Sequence, residues 1–179
     1  MQERFTPFAR TDLDARQQKV FDDIASGPRG MVPSIFHLYL NSPELASHVQ
    51  QLGAFCRYGT SLPPRLSELA ILIAAHHWEA EYEWSIHVGE ARKAGLSGDV
   101  IVAIGEGRRP VFGDADTALI YDFSTEFFRL NDVPDALFAS AVERFGRATT
   151  VELAGVLGYY SMLAIAIRIF RLQPEPQPG

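Results

Sequence analysis

No stretch of this sequence alternates apolar and polar residues with period two between turn signals, and that removes the β-sheet as an architecture. Apolar residues recur instead at helical spacing, with proline and glycine as punctuation. Asp12 to Ile24 reads as a helix with Val20, Phe21 and Ile24 on its inner face and Gly27 near its stop. Gly27-Pro28-Arg29-Gly30 is a turn, and a short apolar segment, Ser34 to Leu40, follows Pro33. Ser42-Pro43 places an N-cap before a proline in the first helical position and opens a helix to about Tyr58. Leu62-Pro63-Pro64 repeats the signal before a strongly apolar helix, Arg65 to Trp78.

After a break at Glu79 to Glu81, a helix runs to Gly95, and Ser97 caps a short one to about Gly105. Gly107 to Gly113 is a loop. Asp114 to Leu130 is amphipathic, with Leu119, Ile120, Phe123 and Phe127 inward. Asp132-Val133-Pro134 starts a helix ending near Gly146, and Thr149 or Thr150 caps a last one to about Arg171. The expectation is one all-α domain without a sheet. A helical extension occupies about residues 1–32, and a proline-rich, disordered tail about 173–179.

The 179 residues suffice for one core, and 47% hydrophobic with 21% charged residues is a globular rather than a disordered composition. A net charge of −6 argues against nucleic acid and leaves a small molecule as the expected partner. The most apolar run, Val156 to Phe170, is interrupted by Ser161 and Arg168 and reads as a buried helix, so no membrane is expected. Cys56 is the only cysteine, which excludes an intramolecular disulfide or a two-thiol centre. With no apolar core after Met1, the expected location is the cytoplasm.

Chemistry concentrates in Glu81-Tyr82-Glu83-Trp84-Ser85-Ile86-His87. Glu83 and His87 stand four residues apart on a helix, one above the other. On a helical wheel they share an arc with Trp84, Val88, Ala91 and Ala94, while Ser85, Gly89, Arg92 and Lys93 face away. An acid and a base on an apolar stripe form a candidate proton-transfer pair, because burial moves pKa values toward the working range. The structural alternative is a surface i,i+4 contact worth about 0.2–0.5 kcal/mol.

Glu68 shares a face with Ile71, Leu72 and Ala75 and points to the interior, or else serves the dipole of its helix start. His76 and His77 suit a helix C-terminus, and neither HExxH nor HxxEH spacing occurs, so no metal is expected. Tyr159 and Tyr160 interrupt the last helix, where buried tyrosines ordinarily find hydrogen-bond partners, and Tyr160 is a candidate pocket residue. Tyr82 and Trp84 are the other candidate substrate-shaping residues. Cys56 reads as a buried small hydrophobe.

The run Leu66-Ser-Glu-Leu-Ala-Ile-Leu, then Glu81-Tyr-Glu-Trp-Ser-Ile-His-Val, then Ala91-Arg-Lys-Ala-Gly-Leu-Ser resembles the carboxymuconolactone decarboxylase family of the AhpD-like superfamily. The resemblance covers roughly Pro33 to Phe170. It implies an all-helical fold built on a helical hairpin and a homotrimer or homohexamer. In the thiol-active branch a CxxC…H centre works with an upstream glutamate. The cysteines fall here on Ala80 and Glu83, the histidine on His87 and the glutamate on Glu68. Peroxidase chemistry of the CxxC kind therefore lacks its thiols.

In the decarboxylase branch, carbon dioxide leaves a lactone acid and a positioned acid protonates the resulting dienolate. Members of that branch continue after the motif with His-Arg-Gly-Ala, whereas Val88-Gly-Glu-Ala-Arg follows here, and they are shorter at the N-terminus. The resulting expectation is a cofactor-independent carboxy-lyase or proton-transfer enzyme of aromatic-compound catabolism. Its substrate is a small carboxylated lactone or related cyclic acid. Glu83 and His87 would be acid and base, Glu68 would support them, and Arg57, Arg65 or Arg92 would hold the carboxylate. The alternative is a non-catalytic helical oligomer or small-ligand binder.

Overall fold

The computed structural model describes residues 4–174, and among them every regular element is helical. A 3₁₀ turn, Arg10–Asp12, precedes α1 (Ala15–Ala25), α2 (Ser34–Tyr39), α3 (Pro43–Tyr58), α4 (Pro64–His77) and α5 (Glu81–Lys93). They are followed by α6 (Gly98–Gly105), α7 (Ala115–Leu130) and α8 (Asp135–Phe170). The expected tail is irregular at 173 and 174, and its remainder lies outside the described residues.

Helix α4 is the axis of the molecule. Every residue from Leu66 to Ala75 is buried, as a helix apolar around its whole circumference must be. Helices α5, α6, α7 and α8 pack around it. The turn back into α5 uses Glu79 in the left-handed region at φ 50°, and Ala80 then enters the helix. The result is the helical hairpin that sets the first half of α4 beside the middle of α5.

Local capping explains several boundaries. The Asp14 carboxylate accepts from the backbone N–H groups of Arg16 and Gln17, and the Gln17 side chain accepts from Asp14 N. Ser97 Oγ accepts from Asp99 N at 3.3 Å. Ser42 holds the expected N-cap position, but its side chain makes no capping bond, and Pro43 alone presets the first turn.

Two expectations change. The last two helices are not separated by a loop capped at Thr149 or Thr150. One helical run crosses Gly146, whose φ of 83° and ψ of 158° break the path at a single residue. Both threonines are buried inside that run, and Thr150 Oγ1 donates to Gly146 O at 2.9 Å. On α7 the inward face is Thr117, Ile120, Phe123 and Ser124. Phe127 lies on the outer side, because the 3.6-residue period carries the stripe toward Phe128, which stacks on His77 at 4.4 Å.

The apolar run at the end of α8, expected to be a buried helix, gives only one face to the core, and Ile165, Ile169 and Phe170 are exposed. Leu153, Val156, Leu157, Leu163, Ala164 and Ile167 are buried, although α8 has the length and composition of a membrane span. One connected apolar cluster runs from Leu13 to Leu172.

Candidate active site

A carboxylate in the middle of a fully buried helix needs a partner, and the fold supplies one. Glu68 is 7% exposed on α4, and its Oε2 lies 2.7 Å from Nδ1 of His87 on α5. The other ring nitrogen, Nε2, faces Oε2 of Glu83 at 3.3 Å, one helical turn away on the same helix. Glu83 and His87 are 4% and 3% exposed. The imidazole is thus held between two buried carboxylates. Glu68 is no helix-start acid, and the Glu83–His87 contact is no surface pair.

Burial by itself favours the neutral ring and is the largest influence on His87. Hydrogen bonds accepted by the Glu68 and Glu83 carboxylates, with their negative charge, together outweigh it and raise the pKa from 6.5 to about 9. At neutral pH the ring is therefore an imidazolium with a proton on each nitrogen, and both N–H groups donate to carboxylate oxygens. Protonated imidazole beside a cavity is a proton donor whose conjugate base is formed in place.

That cavity has a volume of about 320 Å³, within the range of small-molecule sites. Glu83, His87, Tyr82, Tyr159, Tyr160, Arg29 and Arg57 are among its lining residues. Glu68 is not part of the lining and acts on His87 from behind. The Tyr160 ring meets the His87 ring edge-on, with centroids 5.0 Å apart, and fixes the plane of the imidazole. Burial pushes the Tyr160 phenol well above its ordinary pKa, with the charges of Glu83 and Glu68 adding to the effect. Tyr160 is thus a neutral hydroxyl at working pH.

Of the sequence-derived candidates, Glu68, Glu83, His87, Tyr82 and Tyr160 come together. The Tyr82 hydroxyl accepts from Ile35 N at 3.4 Å, so it also ties α5 to α2. Trp84 does not join them. The buried arc of α5 is Tyr82, Glu83, His87 and Ala91, rotated away from Trp84 and Val88. Trp84 packs against Gly105 of α6 and lies near His76, so it is a packing residue and not a cavity residue.

Among the three arginines, only Arg57 lines the cavity. It approaches Glu90 at 3.4 Å. Arg65 is paired with Asp114 and Thr117, and Arg92 is exposed. His76 and His77 form no metal cluster among the described residues. Cys56 is buried as expected, and burial pushes its thiol up to about 11.

Much of the lining was not foreseen, and of its polar members Arg29 and Tyr159 are the most informative. Arg29 sits in what reads only as a turn, and Tyr159 was expected to have a hydrogen-bond partner. Its hydroxyl is buried without one. Proximity to Gly53, which leaves a gap in α3, was the feature that could not be seen in one dimension.

The carboxymuconolactone decarboxylase family model matches residues 43–119, which include Glu68, Glu83 and His87. No curated protein matches the chain. Among solved structures, an uncharacterized peroxidase-related protein from Silicibacter sp. TM1040 superposes with a TM-score of 0.78 at 16% identity, covering 98% of this chain and 93% of that one. The debrominase Bmp8, solved as a cysteine-to-alanine variant with 2,3,4-tribromopyrrole, gives 0.75 at 17% identity, covering 97% and 94%. A protein of unknown function from Agrobacterium tumefaciens, a putative antioxidant defence protein AhpD, gives 0.65 at 21% identity, covering 76% and 94%. The all-helical AhpD-like fold is common to them.

Proposed function

From the resemblance to the carboxymuconolactone decarboxylase family, shown over residues 43–119, we propose that this chain is a cofactor-independent enzyme of decarboxylation or proton transfer. Its substrate is a small carboxylated lactone or related cyclic acid. The observation that carries the reading is the His87 imidazole, held between the carboxylates of Glu68 and Glu83 at the wall of a cavity.

The chemistry balances without an external electron carrier. The bond between the ring carbon and the carboxylate breaks, and carbon dioxide leaves. Its electron pair passes into a dienolate conjugated with the lactone carbonyl. The proton on His87 Nε2, shared with Glu83, then forms the new C–H bond, and solvent returns a proton to the pair. Glu68 touches no substrate in this scheme. It holds the Nδ1 proton and keeps the acidic Nε2–H aimed at Glu83 and the cavity. Arg57 gives the wall a positive charge suited to a carboxylate.

A non-catalytic helical oligomer or ligand binder is the competing reading, and a sealed interior beside His87 would have favoured it. The open cavity speaks against a purely structural role and suits an enzyme or a ligand binder alike; the acid–imidazole set at its wall is what favours the enzyme. Assembly into a homotrimer or homohexamer in the cytoplasm belongs to the same proposal. Exposed apolar side chains such as Leu52, Phe55 and Val151 support it.

Incubation with a panel of carboxylated lactones, including 4-carboxymuconolactone, tests the reading through carbon dioxide release and ring absorbance. Turnover by the wild type and its loss in Glu83→Gln and His87→Gln are expected. No turnover on any member of the panel, or full activity in both variants, would overturn it.

A further inference from the structure

The cavity has a cation that no carboxylate neutralises. Arg57 is paired with Glu90, but Arg29 forms no ion pair among the described residues. Its guanidinium donates to Gln50 O at 3.3 Å and lies over the Phe36 ring, 4.8 Å from the centroid. Beside it is the Tyr159 hydroxyl, buried at 4% exposure without a hydrogen-bond partner. A donor with an unused charge and a buried donor with an unused bond thus meet at one point.

The meeting point is made by an absent side chain. A β-carbon on Gly53 of α3 would collide with the Tyr159 hydroxyl and ring and would stand 2.7 Å from Arg29 Nη2. Gly53 is itself helical, so its value here is space and not backbone freedom. Arg57 follows one helical turn later, on the same side of α3. The helix therefore presents its own arginine and, through the gap at Gly53, one borrowed from the loop before α2.

We propose that Arg29, Tyr159 and the bare backbone at Gly53 form the anchoring subsite for the substrate carboxylate. This rests on the reading of the cavity as a site for a carboxylated ring. A planar guanidinium and an adjacent phenol offer the donors that a carboxylate accepts, and the charge-assisted bonds are the stronger kind. Arg57 is already committed to Glu90 and contributes field more than a bond. The anchor then lies largely outside the family-matched segment, because residues 29 and 159 fall before and after residues 43–119. Proton transfer would sit in the shared segment and substrate orientation in the parts peculiar to longer chains.

Titration calorimetry with benzoate, and with benzamide as its uncharged counterpart, tests the assignment on the full chain. Benzoate is expected to bind the wild type and benzamide to bind at least about tenfold more weakly, as the loss of a charge-assisted bond implies. Arg29→Gln should cost a similar factor and Tyr159→Phe a smaller one, both with unchanged melting temperature. Gly53→Ala should abolish binding by displacing both donors, and Arg29→Lys should restore part of it, since charge returns without the planar fork. Wild-type affinity in Arg29→Gln, loss confined to Arg57→Gln, or no preference for benzoate over benzamide would each overturn the subsite. Benzoate binding that depends on Arg29, in a protein that releases no carbon dioxide from any lactone, would uphold the subsite and refute the decarboxylase.

Discussion

His87 Nδ1 lies 2.7 Å from Glu68 Oε2, and this contact joins α5 to α4 where neither helix offers water to a charge. Alone, each group would be costly in that interior. Together, and with Glu83 on the other side of the ring, they form a closed set of charge-assisted bonds. Stability is expected to depend on it and, under the proposed reaction, turnover as well.

Glu68→Gln keeps the shape of the side chain and removes its charge. The His87 midpoint is expected to fall from about 9 toward 6.5, read by NMR titration of the ring protons. An unmoved midpoint would show that Glu68 is not a source of the elevation.

Stability should depend on pH through the same ring. Its folded-state pKa, about 9, is above the ordinary 6.5, so the folded protein holds the proton more tightly than the unfolded chain. The contribution is fully present below pH 6.5 and is lost as pH rises through about 9. Urea unfolding at pH 6, 8 and 10 would reveal the decline. His87→Gln should remove this part of the slope.

Glu83→Gln and Glu68→Ala should separate chemistry from architecture. The first is expected to lower turnover by about 10²–10⁴-fold with modest loss of stability, if Glu83 has the proton-exchanging role proposed for it. The second leaves a buried imidazolium short of one partner and should cost about 3–5 kcal/mol in chemical denaturation. Equal effects of the two on both measurements would contradict the division of roles.

Gly146→Ala tests the break in α8. A β-carbon there meets no atom within 4 Å, so crowding is not the difficulty. A φ of 83° with ψ of 158° is a conformation that alanine adopts poorly, and a loss of about 1–3 kcal/mol is expected. A melting temperature equal to that of the wild type would rule this out.

Cys56 should be inert in the folded protein. Burial pushes its thiol up to about 11, and only the thiolate attacks a disulfide reagent. At pH 8 a chromogenic disulfide should titrate Cys56 only after denaturant is added.

Much of the fold was legible because helix starts and stops are local. Pro43, Pro64, Asp114 and the glycine at 95 mark boundaries through the conformations they permit or refuse, and the helices follow them. Gly146 was legible as a break but not as a break without a loop, since a single residue's torsions decide that. The inward tilt of α7 at Phe128, and not Phe127, depends on where His77 comes to lie.

The site divides along the same line. The acid and base at positions 83 and 87 are neighbours on any helix, so sequence alone determined that pair, whereas the buried arc beside it is Tyr82 and Ala91 and not the expected stripe through Trp84 and Val88. The apolar face that Glu68 shares with Ile71 and Leu72 left its role open between interior acid and helix-start acid, and only the packing of α4 on α5 decided that it meets His87. The same packing turned Trp84 away from the cavity, because side-chain direction on a helix is fixed relative to its neighbours and not to the sequence. Arg29 and Tyr159 are 130 positions apart, and nothing local to either signals the other. Their approach through the gap at Gly53 follows from the three-dimensional closure of α3 against α8.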